Sequence, residues 1–261
     1  MSPEANHRLP KKDLLKFKEV EHHQRTCSAP DVQGITGAGV IKAMPKLMRP
    51  SALANANLEY LDQAALADPQ VTSEDERTRL LELVLRSNAH LIAAMKGIRS
   101  LRLPDWCISG PSIAWPLWTA LKGKPAMAGN HQLYITYYDP SDQALEKEAT
   151  YLRHIRQVLS AGPYQVHLSN QAGHVVHHDK DSMSNGTPVT CTAEALVRDP
   201  VQTYALGVRL ETSGTFTVLA PFGLSGVFAM KMERNTGYCD EEHFLYKLRR
   251  VEAMWPGIAF R

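Results

Sequence analysis

Several kinds of residue are scarce or missing, and each gap closes off a class of function. The 4 cysteines, Cys27, Cys107, Cys191 and Cys239, lie far apart with no CxxC pair, which argues against a zinc site and against a disulfide framework. No apolar h-region follows Met1, and no run approaches the ~20 apolar residues that a membrane span needs. The chain therefore reads as a cytoplasmic protein with reduced thiols and no membrane partner. Charge of one sign is not in excess either: the formal net charge of +2 gives no strong attraction to nucleic acid, and none is expected as a partner. No internal repeat is visible.

What is present suits a folded domain. The 261 residues, 44% hydrophobic and 21% charged, can bury a substantial core. Residues 1–50 mix basic, polar and small groups without a period, and read as a flexible or surface-draped leader. Within it, Glu21, His22 and His23 read as a solvated polar face rather than a metal site. Residues 51–261 form the domain, with a helical portion at 51–102 and a sheet-containing core at 103–261.

In the helical portion, Leu53, Leu58, Leu61, Ala64 and Ala65 share one face. A second helix opens at Thr72 or Ser73, with acidic residues in its first turn, and buries Leu80, Leu81, Val84 and Leu85. A third runs from Ala89 to about Leu101 and buries Leu91, Ile92, Met95 and Ile98. Beyond it, Cys107-Ile108 is a short strand that ends at Gly110-Pro111-Ser112. A helix through Ala114 to Leu121 follows, with Pro116 placed in its first turn.

The stretch NHQLYITYYDP, residues 130–140, alternates Leu133, Ile135 and Tyr137 with Gln132, Tyr134, Thr136 and Tyr138. This is a strand with one apolar face and one hydrogen-bonding face, closed by the turn Asp139-Pro140. A helix is expected from about Ser141 to Leu159, with Leu145, Ala149, Leu152, Ile155 and Leu159 buried. Tyr164 to Leu168 is a second alternating strand, which Gly173 to His178 extends or turns back. Residues 204–210 and 216–219 form a hairpin around Ser213-Gly214, and a final helix spans Glu241 to Met254.

Taken in order, LPDWCISG, WPLWTALKGKP, YYDPSD, NQAGH at 170–174, TYALGVRL, APFGL and the terminal WP resemble nucleotidyltransferase family 6, of the polymerase-β-like superfamily. The resemblance implies an α/β (α+β) fold, a mixed β-sheet flanked by helices with an N-terminal helical portion. It also implies metal-assisted nucleotidyl transfer: a Gly-containing turn for the triphosphate, a DxD pair on the following strand for Mg²⁺, and a third carboxylate on the neighbouring strand.

This sequence departs from that pattern at those positions. The DxD positions fall on Gln132 and Tyr134; the first is uncharged, and an ordinary phenol titrates near ~10. The third acidic position carries His167, and the acidic pair after APFGL is Ser225-Gly226. No metal ligand and no cofactor is therefore expected. Ordinary nucleotidyl transfer is not expected either.

The candidate catalytic residues are His167, Tyr134 and Gln132, which converge on the former metal position if the two strands pair. An imidazole beside a phenol can do acid–base work without metal, typically about 10²–10⁴-fold. The candidate substrate-binding residues are Gly110, Ser112, Thr136, Tyr138, Asn170 and His174. Asn170 and Gln171 also read as structural, and Pro111 removes one donor from the phosphate turn. Asp139 and Asp142 read as turn and cap residues, and His177, His178, Asp179 and Asp181 as a polar loop. Trp106, Trp115, Trp118, Tyr137 and Tyr138 supply core aromatics, one or two of which can line a pocket.

Three functions follow. The first is a metal-independent small-molecule enzyme of the isomerase, cyclase or lyase type. The second is a non-catalytic nucleotide-, metabolite- or protein-binding descendant. The third is an Mg-dependent nucleotidyltransferase with relocated carboxylates.

Overall fold

The helices before the sheet start and stop where their termini find partners. In the computed structural model, which describes residues 41–42, 62–123, 131–141, 143–172, 188–256 and 258–260, α1 (Gln63–Ala67) is capped by Asp62 and α2 (Glu74–Ser87) by Ser73. Asn88 closes α2 and caps α3 (Ala89–Ser100). Leu66 is the buried residue of α1, whereas Ala64 is exposed; the stripe expected at 53–61 lies outside the described residues. Arg77 is fully buried and ties α1 to α2, donating to Leu66 O at 2.6 Å, Asp68 O at 2.8 Å and Glu74 Oε1 at 2.7 Å. Its charge is thereby paired and its donors satisfied, which burial requires.

A six-stranded sheet forms the centre. Its strands are β1 (Ile41–Lys42), β2 (Cys107–Ser109), β3 (Gln132–Tyr137), β4 (Gln165–Asn170), β5 (Gly207–Leu210) and β6 (Phe216–Leu219), in the order β1-β6-β5-β2-β3-β4. Within this sheet, among the described residues, β3 and β4 are the pair that runs in parallel, joined by α5 (Leu145–Val158) after α4 (Pro111–Leu121) has linked β2 to β3. Two residues of the expected leader, Ile41 and Lys42, thus pair with the β6 edge. The remaining elements are α6 (Thr192–Val197), a 3-10 turn at Gln202–Tyr204, α7 (Ser225–Phe228), β7 (Lys231–Met232), α8 (Glu241–Met254) and β8 (Ala259–Phe260), with β7 and β8 forming a small parallel pair.

The pleat assigns the two faces. Ile108, Leu133, Ile135, Tyr137, Val166, Val208, Leu210, Phe216 and Val218 share the main core with the buried stripes of α2, α3, α4 and α5. On the other face, α6 packs over the middle of the sheet, with Leu196 on Cys107 and Leu219. That approach depends on Gly207, where an added Cβ would sit 2.7 Å from Cys107 Sγ and 2.9 Å from a Leu196 methyl. On the same face at β3 and β4, Gln132, Tyr134, Thr136 and Ser169 are half-buried and Gln165 and His167 are exposed.

Two helix expectations are corrected. Helix α4 begins at Pro111, not near Ala114, so Pro116 lies inside it and Pro111 occupies the first turn. Helix α5 begins at Leu145, not Ser141, because Asp139 holds a separate turn. Its carboxylate accepts from Ser141 N at 3.0 Å and from Lys147 Nζ at 2.9 Å. Leu145 and Ala149 are exposed, and the buried stripe runs through Tyr151, Ile155 and Leu159. Gly173 to His178, expected to extend β4 or turn back from it, lie outside the described residues.

Candidate functional site

Strands β3 and β4 run in register, Gln132 beside Gln165, Tyr134 beside His167 and Thr136 beside Ser169. Because alternate residues share a face, all six side chains stand on the side of the sheet opposite the main core. There Tyr134 and His167 stack, with ring centroids 4.7 Å apart and planes 15° from parallel. His167 Nε2 lies 2.6 Å from Gln132 Oε1, and Gln132 Nε2 donates to Gln165 Oε1 at 2.8 Å. Thr136 Oγ1 lies 2.7 Å from Ser109 Oγ on β2. The three catalytic candidates of the sequence thus lie in one patch, with His167 in contact with both Tyr134 and Gln132.

The start of α4 borders this patch. Gly110, the residue before the helix, holds φ at +58°, a conformation that favours glycine; its N–H donates to Leu206 O at 2.8 Å. Beyond the end of β2, the β3 backbone would lack a ladder partner. The Ser112 hydroxyl supplies one, accepting from Tyr134 N at 2.7 Å and donating to Gln132 O at 3.3 Å. It is a side-chain continuation of the sheet. Ser112 is buried, and its hydroxyl therefore positions the strand that carries Gln132 and Tyr134.

The other binding candidates separate. Thr136 follows Gln132 and Tyr134 on the polar face of β3, whereas Tyr138 lies just past the end of the strand; both are half-buried. Asn170 does not join them: it is buried on the opposite pleat, where its side chain accepts from Asp139 N and Ala172 N and donates to Asp139 O. Its spacing from His167 is odd, so the strand turns it to the other face. His174 lies outside the described residues, as do Asp142, His177, His178, Asp179 and Asp181.

Trp115, one of the aromatics that the sequence offers as core or pocket lining, and Tyr204, which sequence inspection did not single out, adjoin the patch. Trp115, half-buried in the second turn of α4, donates through Nε1 to the Tyr204 hydroxyl at 3.0 Å. An added Cβ on Gly110 would lie 3.8 Å from Tyr204 Cβ. Burial pushes the Tyr204 phenol well up, with the Trp115 bond opposing and nearby Asp199 and Tyr134 adding to the rise. Tyr204 therefore stays protonated and serves as a hydrogen-bonding wall. The Asp199 carboxyl itself is pushed up to about 6 by desolvation, against the Val201 N–H bond and Lys247.

Two carboxylates that flank β2 and β5 are engaged in other contacts. Asp105 accepts from Thr192 N at 2.7 Å and pairs with Arg209 at 3.1 Å, and Glu211 pairs with Arg209 at 2.8 Å. Among the described residues, no group of three or more His, Cys, Asp or Glu side chains is placed to hold a metal ion. No helix among them is long and apolar enough to cross a membrane.

This order of strands, with a helix leaving β2 at a glycine turn and a polar sheet face beyond it, agrees with the comparisons. A model of the nucleotidyltransferase family matches residues 96–260, more than half of the chain. The chain belongs to the nucleotidyltransferase family. A solution structure described as revealing a CCA-adding enzyme head domain aligns with a TM-score of 0.57 and 22% identity, covering 69% of this chain and 95% of that one. At that identity the likeness concerns the fold. No curated protein matches the chain. In this member of the nucleotidyltransferase family, the open face of β3 and β4 presents amides, hydroxyls and two stacked rings.

Proposed function

We propose that this nucleotidyltransferase-fold protein has given up the magnesium site and performs metal-independent acid–base chemistry on a small organic molecule, of the isomerase, cyclase or lyase type. The observation that supports the reading most is the contact of Gln132, Tyr134 and His167 on one exposed sheet face. A hard cation such as Mg²⁺ favours anionic oxygens in octahedral array. Here the donor set is a neutral amide, a phenol and an imidazole, and the amide oxygen already bonds the imidazole. These residues do not suit the metal pair, and no step is routed through one.

In this reading His167 exchanges a proton with the substrate, Tyr134 offers a phenolic hydroxyl beside it, and Gln132 holds the imidazole. Gly110, Thr136 and Tyr138 border the substrate, and Trp115 and Tyr204 wall one side. The protein acts in the cytoplasm, without nucleic acid, membrane or cofactor.

The test is metabolite profiling with the purified protein in the presence of EDTA, wild type against His167→Gln. The expected result is one small molecule consumed and an isomer or elimination product formed, by wild type only. Turnover that requires Mg²⁺ would contradict the proposal in favour of nucleotidyl transfer. Binding without turnover would favour a non-catalytic descendant, a reading that the engagement of Gln132 Oε1 by His167 also supports.

A further inference from the structure

We infer that Gln165 is a positioning residue that sets the tautomer of His167 and leaves Nδ1 as its proton-accepting atom. Gln165 and Gln132 sit opposite each other in the β3–β4 register, and His167 lies two residues along β4 on the same face. The Gln165 Oε1 accepts from Gln132 Nε2 at 2.8 Å. An amide group has one donating and one accepting end, so this bond turns Gln132 Oε1 toward His167, where it lies 2.6 Å from Nε2. A carbonyl oxygen only accepts. The Nε2 atom must therefore carry hydrogen, and in the neutral ring Nδ1 keeps its lone pair.

Among the described residues, Nδ1 makes no hydrogen bond. Stacking on Tyr134 holds the ring plane, which gives the in-plane lone pair of Nδ1 a fixed direction, and His167 is exposed. Two neutral amides thus do for this imidazole what a backbone carbonyl or carboxylate does elsewhere: they fix which nitrogen donates. Gln165 is exposed, so its replacement leaves the core untouched. Its role in chemistry rests on the acid–base reading above, but the tautomer does not.

The experiment is ¹⁵N NMR of histidine-labelled full-length protein on the high-pH plateau, with the His167 signals assigned by their loss in His167→Gln. Wild type is expected to show His167 with a pyrrole-type Nε2 and a pyridine-type Nδ1. Gln165→Glu keeps the acceptor and should keep that pattern. Gln165→Lys offers only donors; it turns the Gln132 amide around and should invert the pattern to Nδ1–H. A wild-type ring protonated on Nδ1, or a Gln165→Lys spectrum identical to wild type, overturns the inference. The inferred tautomer in a protein that turns over no metabolite would leave the relay standing and count against the acid–base function alone.

Discussion

His167 lies face to face with Tyr134, 4.7 Å between ring centroids and 15° from parallel, across two strands that pair in parallel. The pairing makes the phenol and the imidazole separable by mutation. Tyr134→Phe keeps the stacked ring and should leave stability within about 0.5 kcal/mol of wild type, whereas Tyr134→Ala should lose about 0.5–1.5 kcal/mol beyond the buried area. Urea denaturation of the two variants checks this; equal losses would mean that the stack contributes nothing.

Ser112 completes the β3 ladder where β2 stops. Ser112→Ala leaves a buried N–H and C=O of β3 without their partner and should cost about 1–3 kcal/mol. Amide exchange at Tyr134 should accelerate, while the interior of β5 stays protected. Uniform acceleration across the sheet would contradict a local role.

Much of the fold is legible in the sequence, because its cues are local. Ser73 with Glu74, Asp75 and Glu76 announces α2, Asp240 with the stripe of Phe244, Leu248 and Val251 frames α8, and alternation assigns Gln132, Tyr134 and Thr136 to one face. The errors arise where local cues compete. Pro111 and Pro116 both suit a first turn, and only the turn at Gly110 decides between them. Asp139 and Ser141 resemble caps but form their own turn, which shifts α5 and exposes Leu145. Alternation reveals faces but not register, so the sequence places Gln165, His167 and Ser169 together without pairing Gln165 with Gln132. Trp115 and Tyr204 meet across 89 residues, a separation that no local pattern spans.

Arg77 is buried with three bonded partners, and Glu74, one of them, also accepts from Leu224 N at 2.8 Å in the APFGL loop. Arg77→Leu should therefore destabilise by roughly 3 kcal/mol, since two carbonyls and a carboxylate lose their donor. Equilibrium denaturation measures the loss; a change under 1 kcal/mol would show that water replaces the guanidinium.

Gly207 permits α6 to pack on β2. Gly207→Ala should cost about 1–3 kcal/mol through overpacking against Cys107. Adding Cys107→Ala should recover part of that loss, with a favourable coupling in the double-mutant cycle. Strict additivity would place the strain elsewhere.

The carboxyl of Asp199 is pushed up to about 6 by desolvation, so the folded chain holds this proton more tightly than the unfolded chain. Its contribution favours folding below about pH 4 and is lost as the pH rises toward 6. Asp199→Asn keeps an oxygen for the Val201 N–H and removes the titration. Relative to wild type, the variant should gain on the order of 2 kcal/mol between pH 4 and pH 7. A pH-independent difference in denaturation midpoint would contradict the raised value.

The central claim, that the open face of β3 and β4 works without a divalent cation, is tested most directly by calorimetric titration of ATP into the protein with Mg²⁺ and with EDTA. The account predicts no magnesium-dependent binding, in wild type or in Gln132→Ala. Saturable binding that appears only with Mg²⁺, and weakens in Gln132→Ala or Gly110→Ala, would contradict it and return the protein to metal-dependent nucleotidyl transfer.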